Sequence, residues 1–149
     1  MKRIWKHLFS LSEKQSEGLE GVLVSKYAKS GLTQQEAFEI KRKIREAFED
    51  DKLFKDNSIG LNELSSHIAE DRYKVSQVLN EHLEKNFYSL LNHYRIKEAQ
   101  DLLLSQPFLS VKAVMYEVGF NSKASFYCAF KKELGLSPND FRSLMAYAS

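Results

Sequence analysis

The sequence has 149 residues and a net charge of +2, with 43% hydrophobic and 28% charged residues. This composition is typical of a folded globular protein and excludes a mostly disordered chain, while the length suits one core or two small lobes. A single cysteine, Cys128, excludes an internal disulfide. No apolar run reaches the ~20 residues of a membrane-spanning helix and no signal peptide is recognisable, so we expect a cytoplasmic protein without a membrane span.

The N-terminal part is predicted to contain one amphipathic helix after a leader. Residues 1–32 show mixed charge and no sustained apolar period, which predicts a poorly packed leader. Thr33 and Glu36 have the spacing of a capping box, so a helix is expected to begin at Thr33. Five apolar residues then recur on one helical stripe: Ala37, Ile40, Ile44, Ala47 and Phe48. Polar breakers end the period, and residues 33–56 are interpreted as this helix and a connector.

Beyond Gly60 the pattern is almost entirely helical. Polar caps and helix breakers divide this part into six predicted helices. The first carries Leu61, Leu64 and Ile68. The other five begin at the following residues: Asp71, Asn86, Ser110, Ser122 and Ser137-Pro138. The third helix is expected to end at Gln106-Pro107, and the fifth at Gly135, in a position that favours a left-handed residue.

This helical part contains a divergent duplication. At a shift of 50 residues, Leu64, Ile68 and Ala69 match Val114, Val118 and Gly119. At a shift of 51, Val75, Val78, Leu79, Leu83, Glu84 and Asn86 match Phe126, Ala129, Phe130, Leu134, Gly135 and Ser137. Each copy is a short helix, a tight turn and a longer helix. Apolar residues on both sides of the turn set the angle between the helices and leave one face of the second exposed, which predicts two helix-turn-helix motifs.

The stretch "EVGFNSKASFYCAFKKELGLSPNDFR", residues 117–142, resembles the DNA-binding domain of AraC/XylS-type bacterial transcription regulators. It matches their pattern of Gly-Phe-x-Ser, an aromatic residue, Phe-Lys-Lys, Gly and then Ser-Pro-x-x-aromatic-Arg. The stretch "KNFYSLLNHYRIKEAQDLL" also resembles the linker helix of that family, and "KYAKSGLTQQE" resembles the segment that precedes this domain in larger members. We therefore assign residues 57–143 to this domain and residues 144–149 to a C-terminal tail.

The resemblance implies an all-α, homeodomain-like fold with two helix-turn-helix subdomains joined by a linker helix, plus the extra N-terminal helix. It implies a sequence-specific transcription regulator of the bacterial nucleoid, with double-stranded DNA and RNA polymerase as partners. The two recognition helices, which are the second helices of the copies, would enter successive major grooves, ~10.5 base pairs apart. Three roles stay open for the N-terminal helix: docking on the first subdomain, forming a homodimer, or connecting to a missing sensor domain.

A helical protein-interaction module with weak DNA affinity is the alternative function. Residues 60–149 carry 10 basic and 10 acidic residues, so their bulk charge gives no basic footprint for nucleic acid. An enzyme is not expected. The sequence contains no Gly-rich phosphate loop, no cysteine pair and no ligand spacing among its four histidines, so neither a metal nor a cofactor is predicted.

Candidate base-contacting residues in the first recognition helix are predicted to lie opposite Val75 and Val78. They are Arg72, Tyr73, Ser76, Gln77 and Asn80. The resemblance places Tyr73, Ser76 and Gln77 where family members contact base edges. Gln can bond bidentately to adenine, Ser to several base edges, and Tyr to a thymine methyl group or a phosphate. On composition alone, the same residues would form an ordinary solvated helix face.

The equivalent positions of the second recognition helix are poorer in base-contacting groups. They are Lys123, Ala124, Ser125, Tyr127 and Cys128. Cys128 stands where many family members carry Arg, so this helix is expected to position the protein more than to select sequence. Candidate phosphate contacts are basic residues on or near the recognition helices: Lys74, Lys85, Lys131, Lys132 and Arg142.

Three further residues carry structural expectations. Ala69 and Glu84 stand where the family commonly has Gly, so the first turn and the C-cap of the first recognition helix are expected to be strained. Arg95 lies on the linker helix within reach of Glu98 or Asp101, so it is interpreted as structural.

Overall fold

The computed structural model describes residues 31–148, and within that range it is all-helical and contains no strand. The described residues form seven α-helices: α1 (Gln34–Glu49), α2 (Leu61–His67), α3 (Arg72–Gln77), α4 (Phe87–Ser105), α5 (Val111–Glu117), α6 (Lys123–Leu134) and α7 (Pro138–Ala148). A 3-10 turn covers Leu53–Lys55, and a π-helical turn, Val78–His82, directly follows α3. The predicted leader lies outside the described residues, apart from its last two positions. The predicted tail, residues 144–149, continues helix α7 as far as Ala148.

Helix α1 begins with the capping box that its sequence predicts. Thr33 Oγ1 accepts a hydrogen bond from the Glu36 amide at 3.1 Å, and Glu36 Oε2 accepts one from the Thr33 amide at 2.9 Å. This pair satisfies two amide donors that a helix start leaves unpaired. The five residues of the predicted apolar stripe are all buried: Ala37, Ile40, Ile44, Ala47 and Phe48.

The chain divides into two compact units. The first unit contains α1, α2, α3 and the π-helical turn, and runs to Tyr88. The second unit consists of Phe54–Ser58 and the chain from Ser89 onward. Helix α1 packs against α2 and the π-helical turn, so the structure shows one of the three roles left open for it, docking on the first helix-turn-helix.

Each unit is built around the apolar positions that the duplication predicts. In the first unit the buried members are Leu64, Ile68, Val75, Val78, Leu79 and Leu83. In the second unit the matching buried members are Val114, Val118, Phe126, Ala129 and Phe130, joined by Ile96, Ala99 and Leu103 of α4 and by Phe141 of α7. Each short helix is therefore held against its recognition helix by apolar contact, and one face of each recognition helix is left outside the core.

The matched positions of the two copies all have positive φ angles although their residues differ. Gly119 has φ +103° and Gly135 has φ +79°, while their matches Ala69 and Glu84 have φ +55° and +51°. A residue with a Cβ atom is disfavoured in this left-handed region, typically by about 1–2 kcal/mol. The strain expected at Ala69 and Glu84 from the family pattern is thus confirmed by their backbone angles.

Ala69→Gly is expected to stabilise the chain by about 1 kcal/mol, because relief of the left-handed strain exceeds the extra chain entropy of glycine. Urea denaturation should show the transition midpoint moving to higher urea. Ala113→Gly is the matched control: Ala113 lies inside helix α5, where glycine should cost ~0.5–1 kcal/mol. An Ala69→Gly chain that loses as much stability as the Ala113→Gly chain would contradict the strain at this turn.

Arg95 of α4 joins the connector to the second core. Its buried guanidinium donates from Nε to the Phe54 carbonyl oxygen at 2.8 Å and from Nη2 to the Asp56 carbonyl oxygen at 2.9 Å. Its Cζ lies 5.3 Å from the centroid of the Phe120 ring. The structural role predicted for Arg95 is confirmed, with main-chain oxygens of the connector as partners. Glu98, one of the carboxylates proposed for it, pairs with Lys55 at 3.4 Å.

Candidate nucleic-acid interface

The first recognition helix combines a capped α-helical start with a π-helical end. Asp71 Oδ1 accepts hydrogen bonds from the amides of Tyr73 (2.9 Å) and Lys74 (3.2 Å), which confirms Asp71 as the N-cap. At the other end the Leu83 amide donates to the Val78 carbonyl oxygen at 3.2 Å, five residues back. Such wider turns are rare and often occur at functional sites. The sequence pattern predicted a regular helix here.

Four of the five candidates on this helix are accessible on the first unit. Arg72 and Tyr73 are exposed, Tyr73 to 71%. Ser76 and Asn80 are half-buried, and Asn80 Nδ2 donates to Ser76 Oγ at 3.4 Å. A groove of about 400 Å³ brings three of these candidates together with residues at the starts of α2 and α4; its polar lining includes Arg72, Ser76, Asn80, Asn62 and Asn86.

The prediction that Gln77 lies on the exposed face is wrong. Gln77 is only 8% exposed, and its Nε2 donates to Glu81 Oε2 at 2.9 Å. Lys74 and Gln77 are three residues apart and share one side of the helix, and Lys74 pairs with Glu36 of α1. That side of the recognition helix therefore faces α1.

The second recognition helix, α6, exposes most of its candidates. Ser122 Oγ accepts from the Ser125 amide at 3.2 Å, which confirms the predicted N-cap. Four candidates are exposed: Lys123, Ala124, Ser125 and Cys128. The fifth, Tyr127, is half-buried, and its hydroxyl oxygen accepts a hydrogen bond from Asn139 Nδ2 at 2.8 Å. Lys123 Nζ lies 5.1 Å from the centroid of the Tyr127 ring, so Tyr127 helps to position that ammonium group.

The phosphate candidates fall into accessible and engaged groups. Lys131 and Lys132 are exposed in the last turn of α6, and Lys85 is half-buried. Lys74 is engaged, because its Nζ donates to Glu36 Oε1 at 2.8 Å. The phosphate role of Lys74 therefore depends on breaking this ion pair.

Arg142 is held by main-chain oxygens, which corrects its prediction as a phosphate contact. Its Nη1 donates to the Leu109 carbonyl oxygen at 2.6 Å. Its Nε and Nη2 donate to the carbonyl oxygens of Leu103 and Gln106, both at 3.3 Å. The last carbonyl groups of a helix have no partner within the helix, and α4 ends at Ser105. Arg142 thus caps the C-terminal end of α4 and the loop that follows it.

The structure adds residues that the sequence analysis missed. Beside α6 a second groove of about 360 Å³ is lined by Lys123 and Tyr127 together with Lys112, Tyr116 and Asn121. Asn62, in the groove beside α3, is related to Lys112 by the 50-residue shift of the duplication. The duplication is the sequence signal that relates Asn62 to Lys112. Equivalent positions of the two copies lie beside equivalent recognition helices, so a role for one of these residues predicts a similar role for the other.

The part of the chain that the structure describes has neither a metal site nor a membrane-spanning helix. Residues 31–148 contain no group of three or more His, Cys, Asp or Glu side chains arranged to hold a metal ion. Among the described helices, none combines the length and the apolar character that crossing a bilayer requires.

Comparison with known proteins identifies the family. A family model described as a helix-turn-helix domain matches residues 64–143. The xylose operon regulatory protein of Haemophilus influenzae is 27% identical over 84 residues, which are 56% of this chain and 21% of that protein. The chain thus spans about a fifth of the length of this curated relative.

Solved structures show the same fold. The C-terminal domain of AraT, a response regulator from Geobacillus stearothermophilus, superposes with a TM-score of 0.62 at 26% identity, covering 71% of this chain and 84% of that chain. A DNA-binding transcriptional dual regulator from Escherichia coli K-12 gives a TM-score of 0.62 at 19% identity, covering 73% and 93%, and supports the fold alone. The family match covers more than half of this chain and includes both recognition helices. This chain therefore belongs to the AraC-type helix-turn-helix family.

Proposed function

We propose that this chain is a sequence-specific DNA-binding transcription regulator whose recognition helices, α3 with its π-helical turn and α6, enter successive major grooves of one duplex. The observation that carries the proposal is the duplicated helix-turn-helix, in which each recognition helix leaves a polar face outside its core. Family membership supports it. Such a protein acts in the cytoplasm, at the bacterial nucleoid, and we assign it no catalytic role.

The accessible candidates take different roles in this proposal. Arg72, Ser76 and Asn80 share one groove face, and their side chains can donate to base edges in the major groove. The exposed side chain of Tyr73 contacts a thymine methyl group or a phosphate in this proposal. In the second unit Lys123 and Ser125 position α6, and Lys131 and Lys132 supply phosphate contacts from its last turn.

RNA polymerase is proposed as the protein partner of the DNA-bound form. A homodimer or a sensor domain would have to use the outer face of α1, because the inner face is buried in the first unit. Phe38, an aromatic residue of α1 that is 63% exposed, marks that outer face.

A helical protein-interaction module is the less favoured function, and ionic strength separates the two. Binding through several phosphates weakens log-linearly with salt, with a slope of about −0.9 for each phosphate neutralised. An apolar protein interface should respond little to salt.

The decisive experiment selects preferred sequences from a random duplex pool and then compares variants on selected and random DNA. Arg72→Ala is expected to cost ~1–3 kcal/mol on the selected site and to relax the preference at one base pair. Lys132→Ala should weaken both DNAs alike and reduce the salt slope by about 0.9. The selected site should contain one conserved stretch, read by the first recognition helix, while the segment one helical turn away, which α6 contacts, should show little sequence preference.

Arg42→Ala is the control for these variants. It also removes one positive charge, but Arg42 pairs with Glu39 and Glu46 of its own helix, so the salt slope should not change. If Arg72→Ala and Lys132→Ala both behave like Arg42→Ala on every duplex, the interface assigned to the recognition helices is wrong.

A further inference from the structure

One carboxylate links the start of α1 to the first recognition helix. Glu36 Oε1 accepts a hydrogen bond from Lys74 Nζ at 2.8 Å, while Glu36 Oε2 accepts one from the Thr33 amide at 2.9 Å. Glu36 and Lys74 are 38 residues apart in the sequence. The capping box of α1 and the ion pair to α3 therefore share the same side chain.

The electrostatic surroundings keep this pair ionised. The hydrogen bond from Lys74, followed by those from Thr33, lowers the pKa of Glu36 to about 2. The lowered pKa means that the carboxylate loses its charge only as the pH falls toward 2, so ordinary acidification does not release Lys74. Glu36, and then the charges of Asp71 and Glu70, raise the pKa of Lys74. Lys74, which lies on the recognition helix, is thus surrounded by the carboxylates of Glu36, Glu70 and Asp71.

The position of α1 does not depend on this ion pair. Its apolar stripe is buried in the first unit, with Ile40 and Ile44 almost completely inaccessible. Lys43 Nζ forms a second ion pair, at 2.6 Å from Glu70 Oε1 in the turn between α2 and α3. Removing the Glu36 charge should therefore leave α1 docked and change only the partner of Lys74.

We propose that Glu36 is an electrostatic brake on DNA binding: it holds Lys74 in an ion pair that a DNA phosphate must displace, and so lowers the affinity of the first recognition helix for any duplex. This inference rests on the proposed function. A phosphate approaching Lys74 meets the Glu36 charge at the same ammonium group, and the two anions compete. Because Glu36 also caps α1, a movement at the start of α1 is coupled to the freedom of Lys74.

The test compares Glu36→Gln with Glu39→Gln on the selected duplex and on random duplex across a salt series. Both changes remove one negative charge from α1, but Glu39 pairs with Arg42 of its own helix. Glu36→Gln is expected to bind both DNAs about 3- to 10-fold more tightly at low salt, with a slope steeper by about 0.9, because one more phosphate is neutralised. Glu39→Gln should change binding less and leave the slope unaltered.

Lys74→Gln, alone and combined with Glu36→Gln, completes a double-mutant cycle. The brake requires that Lys74→Gln has little effect on the unaltered chain and removes the gain of Glu36→Gln. Equal behaviour of Glu36→Gln and Glu39→Gln, or a gain that survives in the double variant, would overturn it. Circular dichroism melts check that each variant is folded. If the unaltered chain binds no duplex at any salt concentration, the proposed function itself fails, which is a different result from a failed brake.

Discussion

Gly119→Ala is expected to destabilise the second unit by about 3 kcal/mol, because the new methyl group meets main chain that cannot move aside. A Cβ atom at position 119 would lie 2.6 Å from the Phe54 carbonyl oxygen and 3.0 Å from that of Lys55. It would also lie 2.9 Å from Arg95 Nε, which donates to the same Phe54 oxygen. With φ at +103°, the backbone conformation itself disfavours a side chain.

Gly135→Ala is the matched control for this prediction. Gly135 also has a positive φ, +79°, but a Cβ atom there would meet nothing within 4 Å. Gly135→Ala should lower the free energy of unfolding by about 1 kcal/mol, which is the cost of the left-handed conformation alone. Urea denaturation of both variants at one temperature gives the comparison. Equal losses would show that the approach of the connector to Gly119 is not tight in solution.

The elements of the fold could be predicted from the sequence because their signals are local. The side chains of Thr33, Asp71, Ser110 and Ser122 each accept hydrogen bonds from amides two or three residues ahead, so their roles depend on neighbours in the sequence. The C-cap at Gly135 is equally local. Apolar stripes with helical spacing then indicate which faces are buried, whatever they pack against.

The site residues whose surroundings differ from the prediction depend on partners that are distant in the sequence. Arg142 reaches carbonyl oxygens 33 to 39 residues away, and Lys74 reaches a carboxylate 38 residues away. Gln77 is buried, and it lies three residues from Lys74, which pairs with Glu36 of α1. Helical spacing places a residue on a face, but it does not show which other helix docks there. The sequence left the docking of α1 as one role among three. It therefore did not show whether the side of the recognition helix that carries Lys74 and Gln77 would be exposed.

The π-helical turn and the positive φ angles also differ in whether the sequence could predict them. Spacing alone gave no indication that Val78–His82 would depart from a regular helix. The strain at Ala69 and Glu84 was predictable from the family resemblance, because these two residues stand where the family commonly has Gly, and both have positive φ angles. The packed helices on both sides of each turn impose the backbone path, and a residue other than glycine must then adopt it.

Arg95→Ala is expected to destabilise the second unit by about 3 kcal/mol, because it leaves two main-chain oxygens of the connector without their donors. The Phe54 and Asp56 carbonyl oxygens now accept charge-assisted bonds at 2.8 and 2.9 Å. The contact of the guanidinium with the Phe120 ring, whose centroid lies 5.3 Å from Cζ, adds to the loss of stability. Burial lowers the pKa of Arg95, and the Asp56 charge opposes this shift. The cost of desolvating the cation therefore offsets part of the stability that its hydrogen bonds contribute.

Arg95→Lys tests whether geometry or charge dominates this site. A lysine retains the positive charge but has no planar fork with which to reach both carbonyl oxygens, so it should recover less than half of the lost stability. Arg42→Ala, at an exposed arginine with partners on its own helix, should change stability little. Full recovery by lysine would mean that charge alone holds the connector. If Arg95→Ala unfolds at the same urea concentration as Arg42→Ala, the connector is not held by Arg95 at all.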